Sequence, residues 1–184
     1  SAVLGIFGGS FDPPHVGHVA VAAAAWRQLG LDQVIVIPAG QAPLRDGPPR
    51  ASAADRVAMA RLAFAEAPWA TVDARETLRP GPSWSIETAR ELAREHPQAR
   101  LVWILGADQL GRLERWKDVV ELAGLVGGFE RCDREQVVGE FGFGFERVEC
   151  VLVFFDALGV ECQFRAKRFV AVGVAFKINA ESRW

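Results

Sequence analysis

The sequence of 184 residues contains no tyrosine, a single methionine and only three cysteines. The cysteines are odd in number and none belongs to a CxxC pair, so the sequence favours neither a disulfide framework nor a zinc knuckle. No segment approaches 18 uninterrupted apolar residues, and no basic run precedes the apolar opening at residues 2–9, which argues against a membrane-spanning helix and a secretory signal. We therefore expect a cytoplasmic protein without a membrane partner.

The sequence also has no large excess of positive or of negative residues. The 21 lysines and arginines nearly balance the 23 aspartates and glutamates, which leaves a formal net charge of −2. The chain lacks the broad basic field of proteins that bind nucleic acid, so any phosphate site has to be local. Half of the residues are hydrophobic, which at this length is enough to bury one core. We expect a globular protein with no nucleic-acid partner. The sequence also allows the protein to form a homo-oligomer.

Apolar runs alternate with helical patterns along the first 128 residues. We predict strands at residues 2–8, 33–38, 70–73 and 100–106, and helices at residues 19–29, after the capping pair Ser52 and Asp55, around Ile86, Ala89 and Leu92, and at residues 117–123. The second of these helices carries Ala58, Met59 and Leu62 on one face. The alternation predicts an α/β fold, namely a Rossmann-like, doubly wound parallel sheet with helices on both faces. Ligands of such sheets gather beyond the carboxyl ends of the strands.

The composition changes after residue 128. All ten prolines lie at or before Pro97, nine of the twelve phenylalanines lie at or after Phe129, and no threonine follows Thr88. We therefore divide the chain into a core at residues 1–128 and an atypical C-terminal segment at residues 129–184, which either joins the same domain or forms a small appended lobe. Strands are expected within that segment at residues 148–155 and 168–178.

The segment GSFDPPHVGH, at residues 9–18, joins the first predicted strand to the first helix and carries the chemistry. His15 and His18 are three residues apart and can share one face where a helix begins. The unpaired N–H groups and the positive dipole end of the helix meet there, so the segment predicts an anion site whose imidazoles stay neutral until a phosphate arrives. A site without a nucleophile or a carboxylate pair suits charge stabilisation in phosphoryl or nucleotidyl transfer.

Helix capping and zinc ligation are the other interpretations of the two histidines. Zinc lacks further ligands nearby, because the only other histidine is His96 and no cysteine precedes Cys132. The common phosphate loops GxGxxG and GK[ST] are absent from the first strand and its turn. The Gly-Ser-Phe-Asp-Pro context favours the anion site, and we expect no metal ion held by the protein itself.

Residues 9–18 resemble the (G)(S/T)FDPxHxGH signature of the nucleotidyltransferase superfamily, whose members join a nucleoside triphosphate to a phosphate acceptor and release pyrophosphate. PSWSIETAREL at residues 82–92, ILGADQ at residues 104–109 and Trp116 followed by Glu121-Leu122 are similar to the bacterial nicotinate-nucleotide adenylyltransferases. The resemblance covers roughly residues 2–128. It implies adenylyl transfer from ATP to nicotinate mononucleotide, which gives deamido-NAD and pyrophosphate in NAD biosynthesis, with Mg²⁺ accompanying ATP.

The resemblance also implies roles for individual residues. His15 and His18 are the implied catalytic residues and face the ATP phosphates. ATP is expected to meet both histidines together with Gly8, Gly9, Ser10, Phe11, Gly106 and Asp108. Nicotinate mononucleotide is expected to meet Ser10, Phe11, Arg45, Ser83, Trp84, Ser85 and Trp116. The pair Trp84-Ser85 stands where the family has Tyr-Thr, and it keeps an aromatic ring and a hydroxyl.

The chain departs from the family after Gly128. The family carries an Ile-Ser-Ser-Thr-x-Ile-Arg segment that holds the triphosphate, and this chain has none, since no threonine follows Thr88. The clustered positive charges that could substitute are Arg165, Lys167 and Arg168. Three explanations stay open: a divergent active enzyme, a nucleotide-binding protein without turnover, and a C-terminal segment that is not the natural one. Transfer to another acceptor such as phosphopantetheine, or cytidylyl transfer, is the alternative chemistry.

Overall fold

A computed structural model describes residues 1–106, 109, 112–126, 130–131 and 150–153. The described elements are, in chain order, β1 (Val3–Gly9), α1 (Val16–Gln28), β2 (Gln33–Pro38), α2 (Ala53–Ala63), β3 (Ala70–Val72), α3 (Arg75–Leu78), α4 (Ser85–Glu95), β4 (Arg100–Gly106), a 3-10 turn (Leu113–Arg115), α5 (Val119–Val126), β5 (Glu130–Arg131) and β6 (Cys150–Val153). The four predicted strands of the core are confirmed as β1 to β4.

The described strands form one sheet in the order β3-β2-β1-β4-β6-β5. Strand β1 pairs in parallel with both β2 and β4, so that Ile6 lies opposite Ile35 on one side and Trp103 on the other. Strand β2 pairs in parallel with β3, whereas β6 runs antiparallel to β4 and to β5. The predicted parallel sheet is confirmed, with an antiparallel edge in addition. Because the direction of winding reverses between β1 and β4, a crevice opens at the carboxyl ends of these two strands.

Side chains of the inner strands alternate between two apolar layers, as successive residues of a strand point to opposite faces. In β2, Val34 and Val36 pack with the alanines of α1 and with Phe64, which follows α2. Ile35 and Ile37 pack instead with the apolar residues of α4 and α5. Helices therefore cover both faces, as the doubly wound fold requires.

Two predicted helices differ from the observed ones in detail. Helix α1 begins at Val16, three residues before the predicted start, because His15 serves as its N-cap. Helix α2 begins after Ser52 as predicted, with the hydroxyl oxygen of Ser52 accepting a hydrogen bond from the main-chain N–H of Asp55. Its predicted apolar face is wrong, because α2 buries Arg56, Val57 and Ala60 and leaves Leu62 77% exposed. The face that points inward is the one that carries Arg56, whose side chain bonds to neighbouring loops.

The elements after β4 are shifted relative to the sequence-based expectation. Helix α5 begins two residues after the predicted start at residue 117 and ends three residues beyond the predicted end. The strand predicted at residues 148–155 corresponds to the shorter β6, and the strand predicted at residues 168–178 lies outside the described residues. Among the described helices, none has the length and apolar character needed to cross a membrane. The division of the chain at residue 128 stays a prediction.

Candidate active site

A cleft of about 980 Å³ opens where β1, β2 and β4 reach their carboxyl ends. Most of the predicted site residues line it together: Gly8, Gly9, Ser10, His15, His18, Arg45, Ser83, Trp84, Ser85, Gly106 and Trp116. These residues come from the segment that begins at the end of β1, the loop after β2, the start of α4 and the segment that begins at the end of β4. The parallel pairing of β1 with β4 brings the ends of these strands to one edge of the sheet. Residues that are distant from one another in the sequence therefore lie together in one cleft.

Among the described site residues that we predicted, Phe11 does not contribute to this lining. The side chain of Phe11 is 2% exposed and packs edge-on against Phe7 and His18, with ring centroids 5.4 and 5.0 Å away. The apolar ring of Phe11 is thus buried in the core beneath the histidines, and the role of this residue toward the nucleotides stays a prediction. Asp108 lies outside the described residues.

His15 and His18 form a close pair of rings at the start of α1, with the ring planes tilted by 35°. The main-chain N–H of His15 donates a hydrogen bond of 3.1 Å to Nδ1 of His18, and the two ring centroids are 3.8 Å apart. Gly17 makes room for this arrangement, since a Cβ atom there would lie 3.0 Å from Nδ1 of His15. The side chain of His15 is exposed at the mouth of the cleft, whereas His18 is half-buried.

His18 is electrically neutral near physiological pH. Burial, and to a smaller extent the neighbouring His15, whose positive charge would repel a second one, together lower the pKa of this imidazole to about 4. Nδ1 of His18 accepts a hydrogen bond, so the single proton of the neutral ring resides on Nε2. The predicted neutral imidazole agrees with this pKa, although burial rather than the helix dipole is its main cause.

Asp12 connects the histidine segment to the loop that follows β2. Its carboxylate accepts hydrogen bonds from the main-chain N–H groups of Arg50 and Ala51, at 2.7 and 3.0 Å, and from Nη2 of Arg45 at 3.0 Å. The two main-chain bonds are the largest cause of a lowered pKa of Asp12, which keeps the carboxylate ionised. Arg45 is consequently anchored at the wall of the cleft rather than left in solvent.

Aromatic rings also line the cleft. Trp116 packs against Trp103 in an edge-to-face arrangement, with ring centroids 6.4 Å apart. Trp84 lies beneath the ammonium group of Lys117, whose Nζ is 5.6 Å from the ring centroid and 3.0 Å from a carboxylate oxygen of Glu87. Trp103 and Lys117 also line the cleft, and we did not predict either. The position of Lys117 directly after Trp116 in the sequence is the one local signal that could have identified it.

Ser83 and Glu76 are the buried polar residues of the cleft wall. The hydroxyl oxygen of Ser83 accepts hydrogen bonds from the main-chain N–H groups of Gly40 and Gln41, at 3.0 and 3.2 Å. Glu76 accepts a hydrogen bond of 2.5 Å from the hydroxyl of Thr88, and burial raises the pKa of this carboxyl. Glu76 was not predicted, because a glutamate in a polar stretch of sequence normally indicates a solvated surface.

Arg56 lies directly behind the cleft and was also missed. Its side chain is 1% exposed, and burial lowers the pKa of the guanidinium. All of its hydrogen bonds in the described structure go to main-chain carbonyl oxygens. Nothing in the local sequence of α2 indicates this role, because three of the four carbonyl groups, those of Ser10, Ala39 and Gly40, lie 16 or more residues earlier in the chain.

The described residues contain no group of three or more His, Cys, Asp or Glu side chains that could hold a metal ion. The histidines, main-chain N–H groups and cationic side chains of the cleft can donate hydrogen bonds to anionic oxygens. The donors are the histidines and the first main-chain N–H groups of α1, and Arg45 adds a positive charge. Such donors stabilise developing negative charge without forming a covalent intermediate.

Curated relatives match about two thirds of this chain. A protein of Gloeobacter violaceus named "Probable nicotinate-nucleotide adenylyltransferase" is 45% identical over 119 residues, which cover 65% of this chain and 58% of the relative. A protein of Opitutus terrae with the same name is 43% identical over 123 residues, covering 67% of this chain and 63% of the relative. The chain thus spans about three fifths of the length of these relatives.

Solved structures share the fold. A Plasmodium falciparum nicotinic acid mononucleotide adenylyltransferase complexed with APC superimposes with a TM-score of 0.57 and 16% identity, covering 67% of this chain and 60% of that one. The cytidylyltransferase-like family model matches residues 6–160 and so extends past Gly128 into the C-terminal segment. With most of its length matched in this way, the chain belongs to the cytidylyltransferase-like family.

Proposed function

We propose that this chain transfers the adenylyl group of ATP to nicotinate mononucleotide, with deamido-NAD and pyrophosphate as products. One observation carries the proposal: a single cleft holds the His15–His18 pair at the start of α1 and the Trp84 and Trp116 rings. The first part suits a triphosphate and the second suits a flat pyridine ring. The names of the curated relatives support this pairing, as does a neighbour in fold that was solved in complex with NaAD.

In the proposed reaction, a phosphate oxygen of nicotinate mononucleotide attacks the α-phosphorus of ATP in line. The bond from that phosphorus to the oxygen bridging toward the β-phosphate breaks, and pyrophosphate leaves with the bonding electrons. Nε2–H of His18, His15 and the N–H groups at the start of α1 stabilise charge on the phosphates, near Gly8, Gly9, Ser10 and Gly106. Arg45 holds the acceptor phosphate, and Ser83, Trp84, Ser85 and Trp116 surround the ring.

Mg²⁺ is proposed to enter together with ATP. The carboxylates of the described cleft are those of Asp46 and Glu76, and the described residues contain no group of three or more ligands that would hold a hard cation by themselves. Phosphate oxygens and water therefore supply most of its ligands in this proposal, and its chemistry is to neutralise phosphate charge. Since both substrates are charged cytoplasmic nucleotides, the proposal places the protein in the cytoplasm. A homo-oligomer stays a prediction.

The decisive experiment is an assay of pyrophosphate release by the purified chain with Mg-ATP and nicotinate mononucleotide. The proposal expects turnover that requires both substrates, and deamido-NAD that is identified by mass. Parallel reactions contain phosphopantetheine as the acceptor, or CTP in place of ATP. Turnover in those reactions alone would replace the proposal by its alternative chemistry. ATP binding in a calorimeter without pyrophosphate from any acceptor would instead identify a nucleotide-binding protein without turnover.

A further inference from the structure

The loops that follow β1 and β2 are joined by a buried arginine, Arg56, that does not line the cleft. Nη1 of Arg56 donates hydrogen bonds of 2.8 Å to the carbonyl oxygen of Ser10 and of 2.6 Å to that of Ala39. One nitrogen thus bridges the loop after β1 and the loop after β2. Nη2 adds a bond of 3.2 Å to the carbonyl of Gly40, and Nε adds one of 3.3 Å to the carbonyl of Ala51.

The two bridged loops carry the two halves of the proposed site. Ser10 belongs to the loop that leads to His15 and His18, where the phosphates of ATP are expected. Ala39 and Gly40 begin the loop that leads to Arg45, where the acceptor phosphate is expected. The relative position of the two loops therefore sets the distance between the attacking oxygen and the phosphorus that it attacks.

The loop after β2 is also held from the opposite side. The peptide groups that join residues 39–40 and 40–41 offer their carbonyls to Arg56 and their N–H groups to Oγ of Ser83. The loop is tightly packed at Gly40, because a Cβ atom at this position would overlap the main-chain carbonyl oxygen of Glu76. Both polar groups of each peptide are thus fixed by side chains from different elements.

We propose that Arg56 is a positioning residue of this site, which acts alongside Asp12 and the main-chain bond from Ala39 N–H to the Gly9 carbonyl to keep the loops after β1 and β2 in register for in-line transfer between the two phosphates. This inference rests on the proposed function. A guanidinium suits the task, since its planar fork offers five N–H donors in a fixed arrangement. A lysine offers three donors on a flexible stem and cannot serve four separate carbonyls in this geometry.

The experiment compares Arg56→Lys with Arg75→Lys as the matched control. Arg75 is also largely buried, but within the described structure it bonds to Asp73 and Glu95 and does not line the cleft. We expect Arg56→Lys to lower kcat by roughly 10²-fold, because small misplacements of reacting groups have effects of that size. The dissociation constants of ATP and of nicotinate mononucleotide, titrated separately, should stay within about threefold of the parent values. Arg75→Lys should leave kcat and both constants unchanged.

A loss of binding that equals the loss of kcat in Arg56→Lys would overturn the inference, and so would an unchanged kcat. If Arg56→Lys does not fold, Gly40→Ala shifts the same loop with Arg56 intact, and the same loss of kcat with binding retained is expected. An unchanged kcat in folded Gly40→Ala would overturn the inference as well.

Hydrogen exchange separates this inference from the proposed function, because it needs no turnover. The main-chain N–H groups of Gly40 and Gln41 should exchange at least about tenfold faster in Arg56→Lys than in the parent, and at the parent rate in Arg75→Lys. If the parent chain releases no pyrophosphate, the proposed function fails, and these exchange rates still decide whether Arg56 holds the loop. Unchanged exchange in Arg56→Lys would overturn the inference.

Discussion

The main-chain N–H of His15 donates a hydrogen bond to Nδ1 of His18, and the two imidazole rings lie 3.8 Å apart at the start of α1. The bond orients the ring of His18 and leaves Nε2–H as its free donor. Phe11 packs edge-on against the same ring, which restricts its movement. His18 is therefore oriented before a ligand arrives, and donors oriented in advance are the ones that stabilise a transition state most effectively.

His18→Ala is expected to lower kcat of pyrophosphate release by roughly 10²-fold or more, because it removes an oriented donor from the transferring phosphate. His96 supplies the control, since it is an exposed histidine at the end of α4 and does not line the cleft. His96→Ala should keep the parent kcat. Circular dichroism should show that both variants are folded, and a folded His18→Ala protein with parent kcat would remove His18 from the mechanism.

The lowered pKa of His18 predicts how the free energy of unfolding depends on pH. The unfolded chain takes up a proton at this residue near pH 6.5, whereas the folded protein does so only near pH 4. Acidification between these two values therefore favours the unfolded state, and the stability contributed by neutral His18 is progressively lost. Urea unfolding at both ends of this range measures the effect. His18→Gln, which cannot titrate, should show a flatter pH dependence, and an identical dependence in both proteins would contradict the pKa.

Arg45→Met is expected to raise KM for nicotinate mononucleotide by roughly 10- to 100-fold, the range of a hydrogen bond to a charged group. We expect kcat to change less than KM, because Asp12 holds Arg45 at the wall of the cleft, where Arg45 contributes to binding of the acceptor. Arg50→Met is the matched control from the same loop, since Asp12 contacts the main chain of Arg50 and not its guanidinium. Equal KM values in Arg45→Met and the parent, measured by initial rates, would exclude Arg45 from acceptor binding.

Trp116→Ala is expected to raise KM for nicotinate mononucleotide by about tenfold, since an aromatic pair contributes about 0.5–1.5 kcal/mol beyond its buried area. Trp116→Phe keeps a flat ring and should retain most of the affinity. Trp69, which stacks on Trp26 in the other apolar layer, provides a control for the loss of a large aromatic side chain. Trp69→Ala should lower the melting temperature without changing KM. A parent-like KM in folded Trp116→Ala would assign this ring to packing alone.

The sequence was most informative where the physics is local. Residues 33–38 and 100–106 were predicted as strands, and Ser52 was predicted to begin a helix, because periodicity and capping depend on near neighbours. The gathering of most site residues in one cleft also agrees with the rule that ligands lie at the carboxyl ends of parallel strands.

The features that the sequence did not predict depend on contacts between residues that are distant along the chain. Leu62 faces solvent, although the sequence pattern places it on the apolar face of α2, because its environment depends on which elements pack together. The hydroxyl oxygen of Ser83 bonds to main-chain N–H groups more than forty residues earlier in the chain, which no local pattern encodes. The roles of the site residues toward ATP and the acceptor stay predictions.

The amino-acid sequence alone determined the alternation of strands and helices and the placement of two histidines at the first turn, since both follow from short-range sterics and hydrogen bonding. Tertiary structure alone decided that Arg56 lies inside the protein. Its partner Ser10 is 46 residues away along the chain, and a charged side chain is buried only where folding assembles enough acceptors around it.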